Sequence, residues 1–343
     1  MSARYVPVGW NPSKLVYDAV LLAAVGVYIG VFLWVAPRFQ HTTLPLDDYS
    51  ARMAAFGTCA FLLLTLILCI GPAARLDRRF LPLLYNRRHF GVLTCAVALT
   101  HANAAFEWYF SYSPLDPYVA LLSANTSFRQ LSGFPFEAFG IFALAILVLL
   151  AATSHDFWLS FLTPRVWKAL HMGLYAGYTA VVLHVALGAL QTARNPMLAV
   201  VMTLCATTVG TLHVAAGRRP APPSTQRGDW IAAGPADAIA EGRAIVVPIA
   251  GSDPVAIFRH EGRLSAVTNL CAHQNGPLGE GAVLDGCIAC PWHGFQYRLA
   301  DGCAPPPYTE KLATYRLKLE DGTVLLDPRP NPPGTYVEPL RVA

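Results

Sequence analysis

Residues 271–293 read CAHQNGPLGEGAVLDGCIACPWH and carry two cysteine–histidine pairs separated by a glycine-containing insert. The first pair is Cys271-Ala-His273 and the second is Cys290-Pro-Trp-His293, with the 16 residues 274–289 between them. Thiolate sulfur and imidazole nitrogen are common metal ligands in proteins. The spacing therefore predicts one metal centre held between two loops.

Two kinds of centre use these ligand types. A structural zinc site binds four Cys or His side chains, whereas a Rieske-type iron–sulfur cluster takes C-x-H from one loop and C-x-x-H from another. The sequences that follow the two pairs, Gly-Pro-Leu at 276–278 and Gly-Phe-Gln-Tyr at 294–297, favour the iron–sulfur interpretation.

On these residues the C-terminal part resembles the Rieske [2Fe-2S] domain family over about residues 229–327. The resemblance implies that Cys271 and Cys290 bind one iron, and that His273 and His293 bind the other. Rieske proteins of cytochrome bc complexes have an additional disulfide. Its positions are held here by Gly276 and Trp292, so the likeness is to the ferredoxin and oxygenase branch. The remaining cysteines of this region, Cys287 and Cys303, are expected to be free thiols.

The rest of the chain has a composition typical of membrane proteins. The 343 residues are 54% hydrophobic and 13% charged, with a mean hydropathy of +0.41. The net charge of +4 is modest and forms no basic stripe, which argues against a nucleic-acid partner. Six stretches approach the roughly 20 apolar residues that a bilayer requires; they lie near residues 16–36, 52–71, 90–110, 135–153, 167–190 and 195–216.

The predicted fold is therefore a membrane all-α six-helix bundle followed by a small all-β Rieske domain. The expected boundaries are a transmembrane domain over 1–217, a Pro-rich linker over 218–228, the Rieske domain over 229–327 and a Pro-rich tail over 328–343. The sequence shows no obvious internal repeat.

Loop charges predict the orientation in the membrane. One side of the predicted bundle holds eleven Lys and Arg residues, and the other holds only Arg38, Arg52, Arg129 and Arg194. Because cytoplasmic loops are enriched in Lys and Arg, both termini and the Rieske domain are expected in the cytoplasm. The expected location is the bacterial inner membrane, with several membrane crossings and lipid as the surrounding partner.

Five histidines lie in or at the ends of the predicted spans, where polar side chains are costly and are candidates for function. His101 and His184 have comparable depth near the outer face and can supply the two axial ligands of a haem. His171 lies 13 residues before His184, about 20 Å along a helix, so it belongs to a second site near the inner face. Its partner there is His89 or His213.

A second resemblance supports this interpretation. Three stretches are similar to the ferric-reductase-like transmembrane family over about residues 50–215: RRHFGVLTCAVALTH (87–101), GIFALAILVLLAATS (140–154) and VWKALHMGLYAGYTAVVLH (166–184). The family includes the haem subunit of a bacterial periplasmic methionine-sulfoxide reductase system. The resemblance implies a six-helix cytochrome with one or two haem b groups and with His101, His171 and His184 as ligands.

These features predict electron transfer between a cytoplasmic [2Fe-2S] cluster and haem b, directed outward to a periplasmic acceptor or a quinone. No G-x-G-x-x-G motif for a dinucleotide is present, so the donor is expected to be a cytoplasmic flavin reductase or quinol. The chain would be an oxidoreductase component without a catalytic residue of its own. The alternative is a membrane-tethered Rieske ferredoxin that passes electrons to a soluble oxygenase or reductase.

Overall fold

A computed structural model describes residues 12–35, 48–80, 83, 87–131, 133–154, 158, 162, 164–192, 196–218, 225–227, 229–273, 276–291 and 294–342. Its internal contacts divide the chain into two units. The first is helical and comprises residues 10–73 and 86–215, and the second contains residues 74–85 and 216–343. His293 of the predicted metal centre lies outside the described residues.

The helices account for nearly all of the first unit. They are α1 (Pro12–Val35), α2 (Asp48–Leu76), α3 (Arg87–Tyr112), α4 (Pro117–Ser123), α5 (Glu137–Ala152), α6 (Pro164–His171), α7 (Gly173–Leu187), α8 (Ala189–Thr192) and α9 (Pro196–Gly217). A short 3-10 helix follows α2 at Arg78–Phe80.

Four segments among the described residues, rather than the expected six, are long and apolar enough to cross a membrane: Leu15–Val35, Asp48–Leu76, Ala169–Gln191 and Pro196–Gly217. The predicted span near 90–110 lies in α3, which is long but carries charged and polar side chains. The predicted span near 135–153 lies in α5, which is apolar but has only 16 residues. Helices are present at both places, but neither meets both criteria.

The fifth predicted span, 167–190, is not one continuous helix. Met172 separates α6 from α7, and Gly188 separates α7 from α8 with backbone angles of φ −101° and ψ −92°. A Cβ atom at Gly188 would lie 2.5 Å from the ring of Phe136. Glycine is therefore required where this aromatic ring packs against the backbone.

The interior of the helical unit is a cluster of buried apolar residues from α2, α3, α5, α7 and α9, among them Phe61, Leu64 and Val209. A hydrogen bond of 3.2 Å joins Thr65 Oγ1 and Tyr178 Oη inside this cluster. In contrast, the apolar window of α1 has no buried residue. An apolar helix surface without a protein partner is typical of a lipid-facing segment.

The second unit is built from short antiparallel strands: β1 (Thr225–Arg227), β2 (Trp230–Pro235), β3 (Ala244–Val247), β4 (Val255–His260), β5 (Arg263–Thr268), β6 (Ala282–Leu284), β7 (Cys287–Ala289), β8 (Gln296–Arg298), β9 (Thr314–Tyr315), β10 (Leu317–Glu320), β11 (Thr323–Leu326) and β12 (Leu340–Arg341). One sheet has the order β1-β2-β11-β10, another has the order β12-β5-β4-β3 with β9 also on β5, and the third is β6-β7-β8.

The segments predicted as linker and tail take part in this β-structure. Strand β1 lies within the predicted linker 218–228 and pairs with β2. Strand β12 lies within the predicted tail 328–343 and pairs with β5, and Val342 beside it is 7% exposed. The Pro-rich composition of 328–343 thus belongs to a segment that packs on the domain.

Candidate functional site

Two loops of the second unit bring Cys271 and Cys290 into its interior. Cys271 follows β5 and Cys290 directly follows β7, and the two residues are 0% and 1% exposed. Backbone hydrogen bonds fix both loops: Cys271 N–H donates to the Gly276 carbonyl at 2.9 Å, and Cys290 N–H donates to the Phe295 carbonyl at 2.8 Å. Neither cysteine is in a disulfide. Two buried thiols on adjacent rigid loops are suitable ligands for a metal cluster.

The side chain of Tyr297 connects the two halves of this site. Tyr297 is fully buried on β8, its hydroxyl accepts a hydrogen bond from His273 N–H at 3.2 Å, and it lies 3.3 Å from Cys271 Sγ. Burial and the neighbouring Cys271 sulfur raise the pKa of Tyr297, so the hydroxyl keeps its proton. A cysteine sulfur that binds iron is a thiolate and can only accept, so with a cluster bound the Tyr297 hydroxyl would be the donor of this contact.

His273 itself is held by an aromatic contact. Its ring stacks on Phe295 with centroids 4.8 Å apart and an angle of 8° between the planes, and its Nδ1 atom is buried. Three of the four predicted ligands, Cys271, His273 and Cys290, are thus placed on the two facing loops. The donor set of buried thiols, imidazole and a hydroxyl aimed at sulfur fits a [2Fe-2S] cluster. Sequence reasoning did not single out Tyr297.

The helical unit brings His101 of α3 and His184 of α7 face to edge. Their ring centroids are 6.3 Å apart and the planes make an angle of 82°. A metal–imidazole bond of about 2.0 Å places the ring centre about 3.1 Å from the metal. Two rings on opposite sides of one metal therefore have centres about 6.2 Å apart, close to the observed distance.

Both rings keep Nε2 available for such a bond. His101 Nδ1 donates to the Met53 carbonyl at 2.9 Å, and His184 Nδ1 donates to the Phe136 carbonyl at 3.0 Å. Within the described part of the chain, no group forms a hydrogen bond with either Nε2. A ligating imidazole usually donates a hydrogen bond from Nδ1 and binds the metal through Nε2, and the pair fits the axial ligation of haem b.

Glycines border both rings. A Cβ atom at Gly57 of α2 would lie 2.8 Å from Nδ1 of His101, and a Cβ atom at Gly140 of α5 would lie 2.8 Å from Nδ1 and Cε1 of His184. The two arrangements have the same spacing along the chain, since 140 − 57 and 184 − 101 both equal 83.

This spacing is an internal repeat that the sequence analysis missed. Ala-Phe-Gly occurs at 55–57 and again at 138–140, and His follows the glycine after 44 residues in each copy (101 − 57 and 184 − 140). A search for short identities at a fixed offset would have found it. In the remaining positions the two copies share mostly apolar character, which conceals the relationship.

The other intramembrane histidines have different surroundings. His171 Nδ1 lies 3.0 Å from the Trp167 carbonyl and its Nε2 lies 3.5 Å from Ser154 Oγ. His213 is bonded at both nitrogens, to the Val209 carbonyl at 2.8 Å and to Tyr175 Oη at 3.0 Å. The structure therefore does not place His171 with the pair formed by His101 and His184.

His89 of α3 is paired with a carboxylate. Its Nδ1 lies 2.6 Å from Asp18 Oδ2 of α1. A histidine whose Nδ1 is oriented by a carboxylate is a common form of metal ligand.

A buried carboxylate lies next to the pair of His101 and His184. Glu137 is 7% exposed and is the residue after Phe136, whose carbonyl binds His184. Its Oε1 accepts hydrogen bonds from Tyr109 Oη at 3.0 Å and from Asn125 Nδ2. Glu137 therefore ties α3 and the loop after α4 to the start of α5.

Comparison with known families gives two matches along the chain. The Rieske [2Fe-2S] domain model matches residues 229–316, and the model of the ferric reductase like transmembrane component matches residues 56–182. The second match contains His101 and His171 and ends two residues before His184.

Individual relatives are ferredoxins of oxygenase systems. The chain is 39% identical over 79 residues to the anthranilate 1,2-dioxygenase ferredoxin subunit of Burkholderia cepacia, which is 22% of this chain and 71% of that protein. It is 35% identical over 83 residues to the ferredoxin component of the alkene monooxygenase system of Xanthobacter autotrophicus, covering 24% and 68%. Among solved structures, the Sphingomonas yanoikuyae B1 ferredoxin matches with 27% identity and a TM-score of 0.28, covering 29% of this chain and 99% of that one.

Proposed function

Because the chain belongs to the Rieske [2Fe-2S] domain family and carries a ferric reductase like transmembrane component, we propose that it transfers single electrons between a cytoplasmic cluster and haem b in the membrane. When bound, the two groups supply one-electron oxidation and reduction. The chain supplies the ligands and their orientation. These are Cys271, His273, Cys290 and His293 for the cluster, and His101 and His184 for the haem.

The observation that carries this proposal is the pair formed by His101 and His184. Two imidazoles inside an apolar bundle are costly to bury, and each has its Nδ1 satisfied by a backbone carbonyl from another helix. The ring separation of 6.3 Å is that of two imidazoles on one metal. A helix that only anchored a ferredoxin would need none of these features.

His171 is the third predicted haem ligand, and we assign it to a second, inner haem. Its partner in this assignment is His89 rather than His213. Nε2 of His213 lies 3.0 Å from Tyr175 Oη, an ordinary hydrogen-bond length, whereas Nε2 of His171 lies 3.5 Å from Ser154 Oγ, at the outer limit of one. His89 has its Nδ1 held by the Asp18 carboxylate, an arrangement common among metal-ligating histidines.

The proposed topology has six membrane crossings in the bacterial inner membrane, with both termini and the Rieske domain in the cytoplasm. It is supported by the distribution of Lys and Arg among the loops. The donor in this scheme is a cytoplasmic flavin reductase or a quinol. Electrons leave near the outer face, where His101 and His184 lie, to a periplasmic acceptor or a quinone.

A membrane-tethered ferredoxin is the second candidate, and the comparisons favour it in one respect. The relatives of the Rieske domain are ferredoxins of an anthranilate dioxygenase and an alkene monooxygenase system. In this alternative the domain serves a soluble oxygenase or reductase, and the helices need no haem.

A reduced-minus-oxidised optical spectrum of the detergent-purified protein, with haem quantified per chain, separates the two candidates. Electron transfer through the membrane requires b-type haem bands. His101→Ala and His184→Ala should each abolish the outer haem and leave the cluster signal intact. Cys290→Ser provides the reciprocal control, because it should remove the cluster and leave the haem bands. A preparation with an intact cluster and no haem would exclude the relay and leave the tethered ferredoxin.

A further inference from the structure

His101 and His184 are held by two sockets of the same construction. Each socket consists of a glycine on the neighbouring helix and of the backbone carbonyl four residues before it. Gly57 and the Met53 carbonyl form the socket of His101, and Gly140 and the Phe136 carbonyl form the socket of His184.

Helix geometry explains why the two parts occur together. The Cα–Cβ bonds of an α-helix tilt toward its N-terminus, so a side chain covers the backbone of the preceding turn. A side chain at position 57 would therefore shield the carbonyl of residue 53 from a neighbouring ring. Only glycine leaves this carbonyl accessible and lets the imidazole edge lie directly on the backbone.

We propose that Gly57 and Gly140 are positioning residues that set the orientation of the two imidazoles. Each socket fixes the Nδ1–H tautomer and the rotation of one ring, and together they hold the ring planes at 82°. This inference rests on the proposed haem at these histidines. It goes further by assigning the ligand geometry to two glycines and two carbonyls rather than to the histidines alone.

The competing explanation is that the glycines only allow close helix packing, since small residues do so in membranes. The protein offers matched controls for this possibility. A Cβ atom at Gly177 of α7 would lie 3.2 Å from Ile146 of α5, so this glycine lies between the same two helices as Gly140 but faces an aliphatic side chain. Gly71 lies on α2 with Gly57, and a Cβ atom there would meet nothing within 4 Å.

The role of the two glycines is tested by electron paramagnetic resonance and haem quantification on the full-length protein in detergent. Gly57→Ala and Gly140→Ala should each shift or abolish the low-spin ferric haem signal and lower the haem-to-chain ratio. Gly177→Ala and Gly71→Ala should keep the wild-type signal. The signal of the cluster shows in every sample that the β unit has folded, and haem retained in Gly177→Ala and Gly71→Ala shows that the helical unit tolerates an added methyl group on these helices.

The unaltered protein gives a test that depends on no variant. Near-perpendicular imidazole planes predict a strongly anisotropic low-spin ferric signal, whereas parallel planes give a rhombic one. A rhombic wild-type signal, or wild-type spectra in both Gly57→Ala and Gly140→Ala, would overturn the socket proposal while leaving haem binding in place. Wild-type protein without any haem would instead overturn the proposed function.

Discussion

Removing one hydroxyl group at the iron–sulfur site should lower the potential at which the site accepts an electron. The change is Tyr297→Phe, which keeps the buried ring and deletes the oxygen that lies 3.3 Å from Cys271 Sγ. An iron-bound thiolate sulfur carries no proton, so in the loaded site the Tyr297 hydroxyl would donate to it, while His273 N–H donates to the same oxygen at 3.2 Å. A donor at a ligand sulfur stabilises the more negative, reduced state and raises the potential.

The size of the effect follows from the charge on the sulfur. A hydrogen bond to a charged acceptor contributes about 1.5–3 kcal/mol. The sulfur is charged in both oxidation states, so only the strengthening on reduction counts, and we take this as about 1 kcal/mol. With about 1.4 kcal/mol and 59 mV per tenfold change for one electron, the expected decrease is about 40 mV.

The assay is a redox titration of the full-length protein, followed by the paramagnetic signal of the reduced cluster. Tyr315→Phe is the control, because this residue is also buried in the β unit but its hydroxyl faces Thr268 at 3.5 Å. Its potential should equal that of the wild type. An unchanged or higher potential in Tyr297→Phe would show that the hydroxyl does not donate to the ligand sulfur.

Two further changes test other parts of the structure. His213→Leu should keep every haem of the wild type, whereas His171→Ala should lose the inner one, since Nε2 of His213 has a 3.0 Å hydrogen bond to Tyr175 and Nε2 of His171 has only a 3.5 Å contact with Ser154; haem loss in His213→Leu alone would reverse the assignment. Asp327→Asn should weaken the β unit by about 1–3 kcal/mol, or roughly 4–12 °C in the midpoint at which the cluster's visible circular dichroism is lost on heating, at about 4 °C per kcal/mol for a domain of this size. Burial alone would raise the pKa of Asp327, but hydrogen bonds from Arg329 outweigh it and the pKa is lowered. The stabilisation is therefore present above the unfolded carboxyl pKa of about 4 and is lost as the pH falls toward the lower folded value, so wild type and variant should converge in acid.

The iron–sulfur site could be predicted from sequence because its ligands are local. Cys271 and His273 lie on one turn of chain, and Cys290 follows a short hairpin whose Gly and alternating residues mark the strands. The hydroxyl of Tyr297 could not be assigned in the same way. Its role depends on β8 pairing with β7, which turns the side chain inward to Cys271 rather than toward solvent.

The packing of the helical unit is harder to predict from sequence, because its apolar segments carry little information about which helix face is buried. Lipid and protein interior are both apolar, so the usual contrast between an apolar and a polar helix face is weak. The depth of His101 and His184 predicted their pairing, but no pattern within α2 or α5 indicates the faces that receive them. The positions of the helix breaks at Met172 and Gly188 could not be predicted, because neither proline nor a polar cluster marks them.

The hydrogen-bond partner of Nδ1 divides the intramembrane histidines into two groups. His171 and His213 bond a carbonyl four residues earlier in their own helix, so the ring direction depends on that helix alone. His101 bonds a carbonyl of α2, and His184 bonds the carbonyl of Phe136, the residue that precedes α5; these two rings lie 6.3 Å apart.

A bond across helices fixes a ring relative to two backbones at once, which a metal held between helices requires. His89 belongs with this second group, because its Nδ1 reaches Asp18 of α1. The proposed outer site is therefore anchored across helices at both histidines, whereas the proposed inner site has such an anchor only at His89. From this difference we expect the outer haem to keep its ligand geometry more strictly than the inner one, and to be the last haem lost when the bundle is loosened by detergent or heat.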